Sequence, residues 1–376
     1  MIYLDSAATS LLKPKNVVMA VSRAINNMAS PGRGTYKAAM MAADTVFECR
    51  ELACKLFDVN EPDRVVFTLN ATHALNIAIK SLASKNSTVL ISGYEHNSVT
   101  RVLHEIGCKV IVASSELFDI ESAIDAFSRN IARADFVVCN HISNVFGYIL
   151  PIEQIAELCR NNGVPLIIDA SQSAGICNIS FNKLGADFIA MPGHKGLMGP
   201  QGTGILLCGD KTKPILFGGT GSNSIEQVMP IDLPDRLEAG THNVAGIAGL
   251  AEGIKFILSI GPERIGAYEI KLRKLMQSML EYCPGIEVFA GENQCGVLSV
   301  RHDSLDTEAL CAALGNAGIA ARCGLHCSPL AHKTAGTIDT GTLRFSMSPF
   351  NNETQIIRTC RTMENIIRNK TTVRST

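Results

Sequence analysis

The segment Met191-Pro-Gly-His-Lys-Gly-Leu-Met-Gly-Pro-Gln-Gly-Thr-Gly204 sets one lysine, Lys195, directly after His194 and ahead of four glycines. A short apolar run, Phe188-Ile-Ala190, leads into it. A lysine at the end of a buried strand, with no acidic neighbour in sequence, suits a desolvated amine that forms a Schiff base with a carbonyl. The glycines mark a sharply turning backbone or a close approach of something else. The alternative is a surface turn carrying a solvated lysine. Asp169, 26 residues earlier in Ile167-Ile-Asp-Ala-Ser-Gln172, bears on the choice. An aspartate ending an apolar strand is buried and needs a cationic partner. A protonated pyridine nitrogen is such a partner. A carboxylate on the ring nitrogen and a lysine on the aldehyde form the arrangement for pyridoxal phosphate, whose ring then acts as an electron sink.

Other segments that follow strands add fitting groups. Thr68-Leu-Asn-Ala71-Thr72 opens a helix whose free N–H groups suit a phosphate, although an ordinary N-cap explains the same residues. Ser92-Gly-Tyr-Glu-His96 puts a flat ring at a strand end, for stacking on a planar ligand or as a plain core histidine. His141-Ile-Ser-Asn144 offers a side-chain donor and acceptor.

Positioning these groups takes short apolar strands with their loops at one edge. The sequence predicts strands at 65–68, 89–92, 109–113, 136–139, 165–168, 188–190 and 204–207, between helices at 71–83, 98–106, 121–133 and 152–161. An extended arm (1–14) and helices at 16–27 and 36–57 precede them. This alternation predicts an α/β fold, a mainly parallel sheet with helices on both faces. Such sheets bind ligands at the carboxyl ends of their strands. After about residue 260 come a helix to 282, strands at 296–300, 319–322 and 343–346, and helices at 307–316 and 353–367. A large domain over 15–258 is expected, with a smaller α+β domain from 1–14 and 259–376. The polar residues 370–376 are expected to fray.

Composition narrows the class. A 376-residue chain exceeds one small core. Hydrophobic residues at 46% and charged ones at 18% suit a well-buried enzyme and not a disordered chain. A net charge of −1, with Lys and Arg spread along the chain, argues against nucleic acid as a partner. No apolar run approaches the roughly 20 residues of a membrane span, and the N-terminus has no signal-peptide pattern. The thirteen cysteines stand singly, without CxxC pairs, and read mostly as buried free thiols of a reducing, cytoplasmic compartment.

Taken in order, from Ile2-Tyr-Leu-Asp-Ser-Ala-Ala-Thr9 to Arg344-Phe-Ser346, these motifs resemble the fold-type I pyridoxal-phosphate enzymes of the class V aminotransferase group. Within it they are most similar to the cysteine desulfurase/selenocysteine lyase branch. The resemblance implies a Schiff base at Lys195, Asp169 on the ring nitrogen, Gln172 on the ring oxygen and a catalytic His96 stacked on the ring. It implies that Ala71, Thr72 and His194 hold the phosphate and that Asn144 contacts the ring oxygen or the substrate. Ala239-Gly240-Thr241 resembles the segment that reaches the phosphate of the partner subunit, and Arg33 a residue of that same inter-subunit site. An obligate homodimer with a shared active site follows.

Two segments bear on the reaction. Leu343-Arg344-Phe-Ser346 resembles the segment whose arginine clamps the substrate α-carboxylate, as a planar guanidinium does through two parallel hydrogen bonds. The alternative is a structural ion pair. Arg322-Cys-Gly-Leu-His-Cys327-Ser-Pro329 resembles the short catalytic-cysteine loop. Cys327 would attack the substrate sulfur and become a persulfide, with Arg322 or His326 as the cation that ionises its thiol. A metal site from Cys323, His326, Cys327 and His332, or a buried thiol, are the competing readings. Cys323 would be a resolving thiol or a small core residue. Pro192 departs from the serine that relatives often carry for the phosphate.

The implied reaction converts L-cysteine to alanine and passes sulfur through Cys327 to an acceptor protein, with iron-sulfur cluster assembly as a destination. The alternatives are a lyase acting on L-selenocysteine, another class V reaction such as transamination or epimerisation, and a non-catalytic scaffold in sulfur trafficking.

Overall fold

The computed structural model describes residues 1–374 apart from Arg33 and Asn223, with side chains described through residue 369. The role expected of Arg33 therefore lies outside the described residues. The arm forms β1 (Ile2–Tyr3) and is followed by α1 (Lys15–Asn27) and α2 (Lys37–Phe57). Strands and helices then alternate: β2 (Val65–Thr68), α3 (Ala71–Leu82), β3 (Thr88–Ser92), α4 (Asn97–Ile106), β4 (Lys109–Ala113) and α5 (Ile120–Ser128). The series continues through β5 (Phe136–Asn140), α6 (Ile152–Asn162), β6 (Leu166–Asp169), a short α7 (Phe181–Leu184), β7 (Phe188–Pro192) and β8 (Gly204–Cys208).

The seven strands β2 to β8 form one sheet in the order β2-β8-β7-β6-β5-β3-β4. The run β4-β3-β5-β6-β7 is parallel, and β8 runs against both of its neighbours. Strands β5, β6 and β7 are buried along their whole length, as strands covered on both faces must be. Their side chains alternate between two cores. Val137, Cys139, Leu166 and Ile168 enter one, and Phe136, Val138 and Ile167 the other, because successive residues of a strand face opposite ways.

The helix α8 (Val244–Ile260) was not anticipated from the sequence. It is apolar almost all round and carries three glycines, which weaken a helical signal. The glycines serve packing: a Cβ at Gly253 would lie 2.3 Å from the carbonyl oxygen of Leu197. The helix thus backs directly onto the glycine-rich turn that follows Lys195.

The remaining chain contributes α9 (Pro262–Leu280), β9 (Ile286–Phe289), β10 (Val297–His302), α10 (Thr307–Asn316), β11 (Ile319–Ala320) and β12 (Arg322–Gly324). The last elements are α11 (Pro329–Thr334), β13 (Thr342–Ser346) and α12 (Glu353–Arg374). Strands β12-β13-β10-β9 make an antiparallel sheet, and β1 pairs in parallel with β11. Ile2 and Leu4 of the arm join Leu272, Leu298, Phe345 and Ile356 in a separate core. Two expectations change. The helix expected over 121–133 stops at Ser128 and resumes as a 3-10 turn, Ile131–Arg133. The last helix continues to Arg374 through residues expected to fray. Among the described residues, no single helix is long and apolar enough to cross a membrane.

Candidate active site

The sheet delivers its polar residues at one edge. Asp169 ends β6, and Lys195 lies just past the end of β7. His96 follows β3, Asn144 follows β5, and Ala71 and Thr72 open α3 after β2. These residues line a single recess of about 230 Å³, together with Gln172 and His194. Arg322, His326, Cys327 and Arg344 reach the same recess from the second sheet.

Backbone contact fixes the lysine beside the aspartate. A Cβ at Gly196 would lie 2.2 Å from the carbonyl oxygen of Ala174. Gly175, at φ +92, faces the same crossing, where a Cβ would lie 2.4 Å from the oxygen of Gly196. Only glycine lets the turn after Asp169 and the turn carrying Lys195 touch this closely. Burial lowers the Lys195 ammonium from 10.5 to about 8; Asp169 pulls it back up, and Arg344 and Arg322 push it down.

Asp169 is buried, and its Oδ1 accepts the N–H of Ser171 at 2.9 Å. Beneath it sits Glu95, which sequence reasoning passed over. Glu95 Oε1 accepts the N–H of Asn140 at 2.8 Å and lies 2.6 Å from Ser92 Oγ. Burial raises this carboxyl to about 8 against those hydrogen bonds, and the Asp169 charge adds to the rise. Glu95 is therefore mostly protonated at pH 7.

His96 caps α4 with its ring. Its Nδ1 accepts the N–H of Ser98 at 3.0 Å, so the neutral ring carries its proton on Nε2. Burial lowers its pKa and favours that neutral form. The Ser98 hydroxyl lies 2.9 Å from the same Nδ1 and 2.8 Å from the Thr72 hydroxyl, linking the two loops. At the start of α3, Asn70 Oδ1 takes the N–H of His73 at 2.9 Å. The N–H groups of Ala71 and Thr72 remain for an anion. His194 Nδ1 lies 3.1 Å from Thr9 Oγ1, and burial first, then Lys195 and Lys13, lower this ring to about 4. So lowered, the ring is neutral at pH 7, a hydrogen-bond donor or acceptor and not a cation. Gln172 Nε2 donates to Ala7 O at 3.0 Å, which ties the arm to the recess.

Arg344 is buried on β13. It donates from Nη2 to Asp5 Oδ1 and from Nη1 to the Asn144 carbonyl, both at 2.8 Å. The structural ion pair is thus present, and Nε is left without a partner. A guanidinium carries five N–H donors, so this pair leaves room for a second carboxylate. The Asn144 amide faces the cysteine loop: Nδ2 donates to His326 O at 2.8 Å, and Oδ1 accepts from Ser328 Oγ at 2.7 Å. One Nδ2 hydrogen is left for a ligand.

The loop corrects one expectation. His326 Nε2 donates to the carbonyl of Thr342 at 3.1 Å, and burial, followed by Arg344 and His332, lowers the ring to about 2. His326 is neutral and supplies no cation to Cys327. Arg322 remains, with Nη2 3.9 Å from the Cys327 sulfur. Cys327 is the one exposed cysteine of the thirteen. Cys323 turns into the second core beside Cys311, opposite to its strand neighbour Arg322, as strand alternation requires. Among the described residues, no group of three His, Cys, Asp or Glu could hold a metal ion. Thr241 stands apart from Lys195, in a second recess with Gly32, Arg50 and Gly240.

The model of the class-V aminotransferase family matches residues 2–358. The chain belongs to the class-V aminotransferases. A probable cysteine desulfurase of Methanothermobacter thermautotrophicus is 32% identical to this class-V chain, over 97% of it and 94% of the relative. One from Pyrococcus abyssi is 31% identical over 93% and 90%. The apo structure of a cysteine desulfurase from Thermococcus onnurineus NA1 superposes with a TM-score of 0.90 at 30% identity, covering 98% of this chain and 95% of that one.

The cofactor of these class-V enzymes is pyridoxal 5'-phosphate, and the recess fits it. A helix N-terminus with two hydroxyls beside it suits the phosphate, a buried carboxylate suits the ring nitrogen, and a depressed lysine suits the aldehyde. The pKa sets a measurable pH dependence. About a tenth of Lys195 is neutral at pH 7 with a pKa of about 8, against roughly one part in 3,000 at the ordinary value. Covalent capture of pyridoxal phosphate by the apoprotein, trapped with borohydride and mapped to the Lys195 peptide, should rise with pH and level off above about 8. A rise that continues to pH 10 would mean a solvated lysine.

Proposed function

We propose that this class-V aminotransferase is a pyridoxal-phosphate-dependent cysteine desulfurase. The observation that carries the reading is the meeting of Cys327, Arg322 and Arg344 with Lys195 and Asp169 in one recess. The relatives bearing that activity in their names support it.

Bound pyridoxal phosphate supplies the electron sink. The chain's own residues do the rest. Asp169 faces the ring nitrogen and keeps its proton in place. Ala71, Thr72 and His194 hold the phosphate, and Ser98, next to Thr72, offers a hydroxyl where Pro192 has none. His96 covers the ring as a neutral imidazole, and Gln172 meets the ring oxygen. Arg344 takes the α-carboxylate of L-cysteine on the donors that Asp5 and Asn144 leave free, with the last Asn144 N–H beside it. Lys195, neutral for an appreciable fraction of the time near pH 7, moves a proton at Cα. The Cys327 thiolate, stabilised by Arg322, attacks the substrate sulfur. A sulfur–sulfur bond forms, the Cβ–sulfur bond breaks, and the carbon takes up a proton. Cysteine plus the enzyme thiol gives alanine plus the enzyme persulfide, with atoms and electrons balanced.

The proposal includes a homodimer. Supporting it, the Gly32 and Thr241 loops meet in a recess of their own with no lysine in it. Phe47 lines that recess, and Leu11, Met19, Phe217, Ile225 and Ile231 are further exposed large apolar side chains. The two-domain division, residues 15–258 against 1–14 with 259–376, is supported by the separate core that the arm shares with the C-terminal elements. An acceptor protein for the sulfur, use in iron-sulfur cluster assembly and a cytoplasmic setting complete the reading.

The test is product analysis with L-cysteine. Alanine and enzyme-bound sulfur are expected in equal amounts during the first turnover, with one added sulfur on the peptide bearing Cys327. Pyruvate or a keto acid in place of alanine would sink the reading.

A further inference from the structure

We propose that Ser328 is a positioning residue for Cys327 and acts through the side chain of Asn144. The inference rests on the reading that Cys327 receives the sulfur. His326 and Cys327 are consecutive non-glycine residues in left-handed backbone, at φ +50 and +59. Residues with a Cβ avoid this region, and two in a row persist only where the surroundings over-determine them. At this loop the surroundings do so. Asn144 reaches across from the end of β5 and holds both sides of Cys327, the His326 carbonyl through Nδ2 at 2.8 Å and the Ser328 hydroxyl through Oδ1 at 2.7 Å. The backbone N–H of Asn97 holds the Cys327 carbonyl at 2.9 Å.

The direction of the Ser328 bond gives that residue its role. An amide can present either its oxygen or its nitrogen to a neighbour. Ser328 is fully buried, and its hydroxyl points at Asn144 Oδ1. The His326 carbonyl can only accept, so it sets the amide donor on its own side, and the Ser328 hydroxyl donates to the oxygen left facing it and holds that orientation. Turned over, the amide would set its oxygen against the His326 carbonyl, and the clasp would repel. Ser328 therefore keeps the strained loop closed, with the Cys327 sulfur 3.9 Å from Arg322 Nη2. The backbone carbonyl of Asn144 also accepts from Arg344 Nη1 at 2.8 Å. One residue thus joins the carboxylate clamp to the aim of the thiol.

The test compares Ser328→Ala and Ser328→Thr with the wild type, the threonine keeping the hydroxyl. For the alanine variant, kcat for alanine from L-cysteine should fall about ten- to a hundredfold, as misplacement of a reacting group does, with KM within about twofold because Arg344 is untouched. Chloride release from β-chloroalanine, which needs no attacking thiol, should stay at the wild-type rate. A second readout uses the apoprotein. The rate of iodoacetamide alkylation at one fixed pH, followed on the Cys327 peptide, should change about threefold or more as the loop opens and the sulfur leaves its place beside Arg322. Ser328→Thr should restore both. A wild-type kcat with an unchanged alkylation rate in Ser328→Ala would overturn the proposal. So would equal losses on cysteine and β-chloroalanine, which mark a merely structural role. Full activity in Cys327→Ala would instead remove the reading beneath it, and that outcome is told apart because it does not depend on Ser328.

Discussion

Lys195→Ala should lower alanine formation from L-cysteine by at least about 10⁴-fold, with no loss of thermal stability. The two halves of this expectation have one cause. Burial pushes the Lys195 ammonium to about 8, so the folded protein holds this amine at a cost and gains little from it structurally. Removing it deletes the proton carrier and the covalent tether to the cofactor, while the glycine crossing at Gly175 and Gly196 stays intact. Pyridoxal phosphate should still bind through Ala71, Thr72 and Asp169, but it should wash out on gel filtration where the wild type retains it. Lys195→Arg should fail as well, because a guanidinium stays charged and does not exchange a proton near pH 7. The measurements are initial rates, the melting temperature and cofactor retention. Activity within about tenfold of wild type would show that another base moves the Cα proton.

Much of this site was legible because of where a parallel sheet keeps its ligands. Strands such as Val137-Val-Cys139 and Ile167-Ile168 are apolar on both faces, so they stand out as runs, and the polar residues just beyond them mark the edge. Asp169, His96, Thr72 and Lys195 were found that way. Partners set by tertiary structure were not. Asp5 meets Arg344 across 339 residues of sequence, and nothing local to either announces it. The charge of His326 depends on the Thr342 carbonyl and on burial, so a histidine beside a cysteine read as a cation when it is a neutral donor. Glu95 stood next to His96 in view, but a carboxyl whose pKa burial raises to about 8 is a property of the packed site. Helix α8 escaped because a helix that is apolar all round has no polar face to reveal its period. Its glycines, which lower its propensity, fit it against the Lys195 turn.

Cys327→Ala should cut sulfur release from L-cysteine by at least about a thousandfold, as loss of an enzyme nucleophile does, and leave the cofactor site unchanged. The alanine keeps the Cβ and the backbone, so the bond from Asn97 N–H to the residue 327 carbonyl, at 2.9 Å, survives. Cys327 is exposed, and no core contact is lost with its sulfur. What disappears is the one exposed cysteine, whose sulfur lies 3.9 Å from Arg322 Nη2. Cys327→Ser should fail equally, because a hydroxyl near pH 7 is neither ionised by a guanidinium 3.9 Å away nor soft enough to take sulfur. Cysteine should still bind in both variants, since Arg344 and Asn144 remain, so KM or a spectral dissociation constant should move little while kcat collapses. This split separates the competing class-V reactions. Transamination and epimerisation act at Cα and need no thiol, so an enzyme built for either would keep its rate after the change. Sulfide release at a tenth of wild type or more in Cys327→Ala, measured with a dithiol to reduce any persulfide, would move the sulfur-accepting role away from this loop.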